Sequence, residues 1–274
     1  MRADRTALER SGRRIRGHVL RMVHRASSSH VGTALSIVDL LSVLFFDTLR
    51  VDPTNPAKPD RDRFILSKGH GAAALYATLA ERGFFPVEWL DTFCLDGGRL
   101  HGHADAHDVP GVEISTGSLG HGLSVGAGMA LAAQHDGAGY RVFALLSDGE
   151  CDEGSVWEAA MFAAHHRLDN LVAIVDYNRL QGLGPVEEVL RLEPLAEKWR
   201  AFGWEVREAD GHDYRELPAV FGALPFTPGR PSIVLAHTVK GKGVSYMENQ
   251  VAWHYKSPNA EQLRQALAEI GDGL

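Results

Sequence analysis

Residues 142–178 leave this chain few folds to adopt. The stretches 142–146 and 171–175 are short and almost wholly apolar, the pattern of strands covered on both faces. Between them the turn Ser147-Asp148-Gly149-Glu150 leads into an alanine-rich stretch at 155–168, with Trp157, Met161 and Phe162 at helical spacing. Strand, turn, helix and strand within about thirty residues make a βαβ unit, whose strands must run parallel because the connection crosses over the sheet. The fold class is therefore α/β, a parallel sheet flanked by helices.

A third strand is expected at 233–236, and further helices at 33–48, 71–82, 120–135, 194–202 and 258–270. Ser257 reads as the cap of the last helix, with Pro258 in its first turn. Residues 1–25 carry eight arginines, but Asp4 and Glu9 speak against a transit peptide. Leu8, Ile15, Val19, Met22 and Val23 share one helical face, so this is read as an amphipathic helix with a basic outer side. Residues 52–62, with three prolines, read as a surface loop rather than a linker. No repeat or composition break divides the chain, so residues 1–274 are expected to form a single domain.

A net charge of −7 gives no footprint for nucleic acid. Asp39 and Asp47 interrupt the most apolar stretch, 35–49, so no membrane span is expected. Cys94 and Cys151 form no C-x-x-C pair, which suits a reducing compartment and a cytoplasmic protein. Cys151 has no evident base partner and is assigned to packing.

Parallel strands deliver their C-terminal residues to one sheet edge, where α/β folds bind ligands. That edge should bring Asp148 close to Asn178. A carboxylate and an amide supply hard oxygens for Mg²⁺, which takes few protein ligands and completes its shell with phosphate and water. Gly149 permits close backbone approach, and the helix beginning near Gly154 offers its N-terminal dipole to an anion. These residues read as a magnesium–diphosphate site. The plainer reading, Asp148 as a helix cap and Asn178 as a turn residue, is weakened by their placement on neighbouring strands.

At these positions the chain resembles the thiamine-diphosphate superfamily, whose fingerprint is G-D-G followed about thirty residues later by asparagine. Ser147 stands in place of the first glycine. The resemblance implies that Asp148, Asn178 and the backbone carbonyl of Leu180 bind Mg²⁺, and that Gly149 and Asn178 touch the diphosphate. Within the superfamily the chain is similar to transketolase over nearly its whole length. S-S-H-V-G at His30, L-S-K-G-H-G at His70, H-G-H at His103, S-T-G-S-L-G-H-G around Gly117, H-T-V-K-G-K-G at 237–243 and A-W-H at His254 occur in the family's order.

That resemblance implies ketol transfer, in which a ketose is cleaved between C2 and C3 and the two-carbon unit passes to an aldose. The cofactor supplies the electron sink; the protein supplies position, hydrogen bonds and proton traffic. By resemblance His30, His70, His103 and His254 line the substrate pocket as catalytic groups, and His70 and His254 also lie near the cofactor. The backbones of Gly117, Ser118 and Leu119 would hold the aminopyrimidine, although a plain helix-start turn is compatible with the same residues. Glu153 would sit in a proton path between two active sites, or serve as an acid favoured by the helix dipole. His18, His24, His135, His165, His166 and His212 are read as surface or core residues; His101, His107, His121 and His237 stay open. Lys240-Gly241-Lys242-Gly243 lacks the spacing of a nucleotide phosphate loop.

The family's second domain supplies the pyrimidine site and the activating glutamate, and the chain ends about twenty residues after His254. The expectation is a split enzyme: this chain with a pyrimidine-binding partner of the C-terminal type, in a heterotetramer with two copies of each. The alternatives are a transketolase-like pair feeding a carrier protein, the α-type component of a 2-oxo acid dehydrogenase, and a non-catalytic scaffold.

Overall fold

The computed structural model describes residues 4–271. Helix α1 (Arg5–Ala26) is followed by α2 (Val31–Ser36), α3 (Val38–Val43) and a π turn (Leu44–Thr48). Strand β1 (Arg63–Leu66) runs through a 3₁₀ turn (Gly69–Gly71) into α4 (Ala72–Arg82), and α5 (His121–His135) precedes β2 (Val142–Ser147). A further 3₁₀ turn (Gly149–Asp152) and α6 (Gly154–His165) lead to β3 (Leu171–Tyr177). Then come α7 (Val186–Val189), α8 (Leu195–Ala201), β4 (Glu205–Asp210), α9 (Glu216–Gly222), β5 (Ser232–His237) and α10 (Ala260–Glu269).

The five strands form one parallel sheet in the order β1-β2-β3-β5-β4. Alternation along each strand feeds two cores. Phe143, Leu145, Val172 and Ile174 face the layer built from α1, α3 and α4; Val142, Ala144, Leu146, Ala173 and Val175 face α5, α6 and α8. All nine are at most 1% exposed, which is why β2 and β3 are apolar throughout and not alternating in sequence. Burying each of the larger ones contributes about 1.5–3 kcal/mol. The expected α/β class is the observed one.

The basic N-terminal helix forms with the expected face inward: Leu8, Ile15, Val19, Met22 and Val23 are all buried. Of its eight arginines, Arg2 lies outside the described residues. Two strands escaped the sequence reading, β1 and β4. The helix expected at 33–48 is three pieces, because Ile37 leaves helical geometry (φ −99°, ψ 0°) and the last turn widens to π. The cap of α10 is Asn259, not Ser257: Asn259 accepts from Gln262 N–H and Gln262 bonds back, a capping box. Ser257 instead donates to the Val23 carbonyl at 3.0 Å, tying the segment before α10 to α1.

Candidate functional site

Strands β1, β2, β3 and β5 hand polar residues to the same edge of the sheet. Lys68 and His70 follow β1, Asp148 follows β2, Asp176 and Asn178 lie at the end of β3, and Thr238 and Lys240 follow β5. The register sets Ser147 opposite Asp176, and Asp176 opposite Ala236. A charged pair lies at the centre. Lys68 and Asp176 are both 0% exposed and meet at 2.5 Å. The Asp176 carboxylate also accepts from Ser36 at 2.7 Å, from Asn178 Nδ2 at 3.0 Å and from the Thr238 hydroxyl. Burial alone would raise its pKa, yet these donors, Lys68 foremost, hold it below the usual carboxylate range.

Asp148 lacks such a cation. Its carboxylate is 1% exposed and, among the described residues, accepts only from two backbone amides, Gly149 N–H at 2.7 Å and Arg179 N–H at 2.6 Å. Burial first, and the Asp176 charge second, push it up to about 6. Asn178 holds the neighbouring turn through Oδ1, which accepts from Leu180 N–H at 3.0 Å. The Leu180 carbonyl accepts from the Lys240 ammonium at 2.9 Å, with the Gln181 carbonyl at 3.4 Å. Among the described residues no carboxylate meets Lys240 directly, and burial together with the charge of Lys68 lowers its pKa to about 8. Among the described residues no cluster of three histidines, cysteines or carboxylates could chelate a metal alone. A cation here would share one carboxylate with an amide and a carbonyl, a donor set suited to a hard ion carrying its own ligands.

Four imidazoles roof this floor. Ring centroids of His30 lie 5.2, 5.8 and 5.0 Å from those of His70, His103 and His254, and His70 is 5.6 Å from His254. His30 takes a left-handed backbone (φ 73°) at the start of α2, pinned by its N–H donating to the His254 carbonyl at 2.8 Å. His70 sits on the 3₁₀ turn after β1, where a Cβ on Gly69 would come within 2.5 Å of the Thr116 carbonyl. Tyr76 donates to the His103 carbonyl at 2.9 Å. His254 Nδ1 is buried with no partner among the described residues, a donor or acceptor left over for a ligand. The four rings with Asp148, Gly149, Asn178, Leu180 and Lys240 line an open cleft of about 220 Å³.

Burial lowers the pKa of three of these rings: His30 to about 4, helped by His103 and Lys240; His70 to about 2, helped by Lys68; His254 to about 3, helped by Lys240. In the unfolded chain they titrate near 6.5. The fold therefore loses stability as pH falls below about 6.5 and keeps losing it towards the folded values. The Tm of the cofactor-free chain is expected to drop between about pH 6.5 and 4.5, and His70→Gln to make the drop shallower. An equally steep drop in the variant would put its source elsewhere.

The remaining candidates divide. Gly149, Gly117 and Leu119 line the cleft with Asp148, Asn178 and Leu180. Ser118 belongs to an adjoining groove with His121 and Val125. Glu153 is exposed at the N-cap of α6, and a Cβ on Gly120 would approach its Cβ to 2.8 Å; it does not line the cleft. Glu150, only counted as part of the turn in sequence, is fully buried and joins the two loops. It accepts from Gly120 N–H at 2.7 Å, from Ser147 N–H at 3.3 Å and from the Ser67 hydroxyl. Cys151 is buried, which pushes its thiol pKa well up, as packing requires. His18 and His24 are structural, bonded to Glu81 and to the Pro258 carbonyl. His101 and His107 lie exposed beside Asp105 and Asp108, His121 bonds the Leu119 carbonyl, and His237 pairs with Glu208. Lys68, Asp176 and Lys240 were missed. The motif containing Lys68 was in view, but nothing local marks its charge as paired 108 positions away.

Residues 9–272 match the family described as the thiamine diphosphate binding domain of transketolase. The chain is 45% identical over 267 residues to the A component of an apulose-4-phosphate transketolase from Phocaeicola vulgatus, covering 97% of this chain and 95% of that protein. It is 45% identical over 256 residues to a 6-deoxy-6-sulfo-D-fructose transketolase subunit of a Clostridium species, covering 93% of each. Transketolase from Leishmania mexicana superposes with a TM-score of 0.92 at 29% identity, over 99% of this chain but 42% of that one. The rat transketolase, 39% identical over 268 residues, is likewise spanned over only 42% of its length. The chain belongs to the transketolase family, within which it corresponds to the thiamine diphosphate-binding domain.

Proposed function

We propose that this chain is the diphosphate-binding subunit of a two-component transketolase that moves a two-carbon ketol unit from a ketose to an aldose. The observation that carries the reading is the convergence of four imidazoles over Asp148, Asn178 and Lys240 in one cleft. The donor set fits the cofactor and its metal. Asp148, Asn178 and the Leu180 carbonyl would hold Mg²⁺, compensating a buried carboxylate that no cation meets directly. Lys240, resting on carbonyls alone, is the cation available to a diphosphate oxygen, beside Gly149 and Asn178. His70, Gly117, Ser118, Leu119 and His254 would hold the rest of the cofactor. When bound, thiamine diphosphate supplies the electron sink for the cleaved bond.

The chain's own part is recognition and proton handling. A neutral imidazole carries one donor and one acceptor, which matches a hydroxyl or a carbonyl better than an anion. Three of the four rings are held neutral by burial, so the cleft suits the polyol end of a sugar. The two relatives named above act on a phosphate and a sulfonate, judged by their names. We extend that class to this chain: a ketose with an anionic tail. No arginine is among the described residues lining the cleft, so recognition of that tail falls to the partner. The partner would bind the pyrimidine, two copies of it assembling with two of this chain, and Glu153 would connect the sites. The reading treats the whole chain as one domain and its location as cytoplasmic; two free thiols suit the latter.

The test is ketol transfer by the assembled complex. His103→Ala should lower it at least about tenfold, roughly 1.4 kcal/mol of transition-state stabilisation, with the Tm almost unchanged. Full activity in the variant, or gross unfolding, would make His103 a packing residue.

A further inference from the structure

A buried carboxylate cluster lies outside the cleft, beside the segment that carries Lys240. Asp39 of α3, 3% exposed, receives four donors. Arg16 of α1 clasps it at 2.8 and 2.5 Å, His212 Nδ1 donates at 2.7 Å, and the Tyr214 hydroxyl completes the set. Gly12 makes room for this on α1, since a Cβ there would lie 2.0 Å from the Tyr214 oxygen. The other face of the cluster grips the chain on both sides of Lys240. His212 Nε2 accepts from Val239 N–H at 2.8 Å, and Arg16 Nε donates to the Lys242 carbonyl at 3.2 Å.

The tautomer of His212 follows without choice. A backbone N–H can only donate, so Nε2 must present its lone pair to Val239; the ring proton then sits on Nδ1, facing Asp39. The imidazole thus relays a fixed carboxylate into a fixed backbone position. Lys240 needs such help. Its side chain is buried, but its ammonium rests only on the carbonyls of Leu180 and Gln181. With no carboxylate gripping its tip, its aim depends on where the backbone at 239–242 is held.

We propose that His212 is a positioning residue for the cofactor: anchored by Asp39 and Arg16, it holds Val239 and so aims Lys240 at the diphosphate. This rests on the cofactor reading above. A cluster serving only the fold would give the same hydrogen bonds, so the test must separate the two roles. Two substitutions do so. In His212→Gln the amide oxygen reaches the place of Nε2 and can still accept from Val239, while the bond to Asp39 is lost. In His212→Asn the amide nitrogen takes the place of Nδ1 and serves Asp39, but the shorter side chain leaves Val239 unmet.

Thiamine diphosphate with excess Mg²⁺ is titrated calorimetrically into the complex of this chain with its pyrimidine-binding partner. His212→Asn should bind about tenfold more weakly than wild type, and His212→Gln, which keeps the Val239 bond but loses its anchor, about threefold more weakly. In a Lys240→Met background the Asn substitution should change affinity less than about twofold, since the group it aims is gone. Equal affinities for Asn and Gln, the reverse order, or an undiminished Asn effect without Lys240 would overturn the proposal. So would an Asn variant whose only change is a lower Tm. A wild-type complex that does not bind thiamine diphosphate overturns the cofactor reading itself, an outcome visible before any variant is made.

Discussion

Asp148→Ala should abolish magnesium-dependent binding of thiamine diphosphate, weakening it at least about a hundredfold, while barely moving the Tm of the cofactor-free chain. The two halves of this expectation have different causes. Asp148 is the single carboxylate of its proposed metal set, and an amide with a carbonyl cannot replace its charge. Stability is a balance of opposite terms. Burial and Asp176 push the carboxyl up to about 6 from a usual value near 3.8. Keeping it charged at neutral pH then costs the fold on the order of 3 kcal/mol. The pull of the Gly149 and Arg179 amides on the carboxylate is already within that net rise, but alanine would leave both donors without their acceptor, at about 1–3 kcal/mol each. Alanine therefore removes one cost and adds another of similar size. The sign is checkable: an acid raised in the fold destabilises it as pH climbs from about 4 to 6, so the variant should lose that segment of the pH–Tm curve. Calorimetry with Mg²⁺ and thiamine diphosphate reads the first half, thermal melts the second. Unchanged affinity would remove Asp148 from the metal site; a collapse of the Tm would make it structural.

The same contrast explains what could be read from the chain unaided. β2 and β3 announced themselves because both their faces are buried, leaving no polar residue to blur the pattern. β4 did not. It lies at the sheet's edge with Val206 and Ala209 buried while Arg207, Glu208 and Asp210 are exposed, so its composition is that of a loop. β1 is four residues long and follows three prolines. Within the stretch 33–48, where helical geometry breaks at Ile37, Ser36 bonds Asp176, and Asp39 bonds Arg16 and His212. Local periodicity carries no trace of such demands.

The site divides along the same line. His30, His70, His103 and His254 were legible as fragments of motifs whose order matters, and Asp148 and Asn178 as strand-end residues on adjacent strands. Lys68, Asp176 and Lys240 were not. Asp176 ends an apolar strand and Lys68 stands in a short turn; only the fold reveals that each neutralises the other. His212 was read as a surface or core residue, and its ring is in fact nearly buried, bridging Asp39 to Val239. A histidine whose two nitrogens meet a carboxylate on one helix and a backbone amide after β5 has no signature in sequence spacing.

The purified chain alone should show no ketol transfer, and should gain it, at least about a hundredfold over background, when a pyrimidine-binding partner is added. The cleft is lined by four imidazoles and, among the described residues, by Asp148 as its one carboxylate. The chain spans 42% of the length of the solved transketolase it resembles in fold, while it spans 95% of a relative named as one component of a transketolase. Its surface points the same way. Met161 and Phe162 on α6 are 52% and 40% exposed, Leu183 is 83% exposed, and Tyr255, next to His254, is 62% exposed. Exposed apolar groups of this size are the kind a partner covers, and without it they should drive weak self-association. The measurement is turnover of a ketose phosphate with an aldose acceptor, in thiamine diphosphate and Mg²⁺, with and without the partner, alongside sedimentation of the lone chain. Substantial turnover by the lone chain would require a source of the activating acid within it and would end the two-component reading. No turnover with aldoses in either state, but transfer of the two-carbon unit to a carrier protein by the pair, would keep the split architecture and change the acceptor.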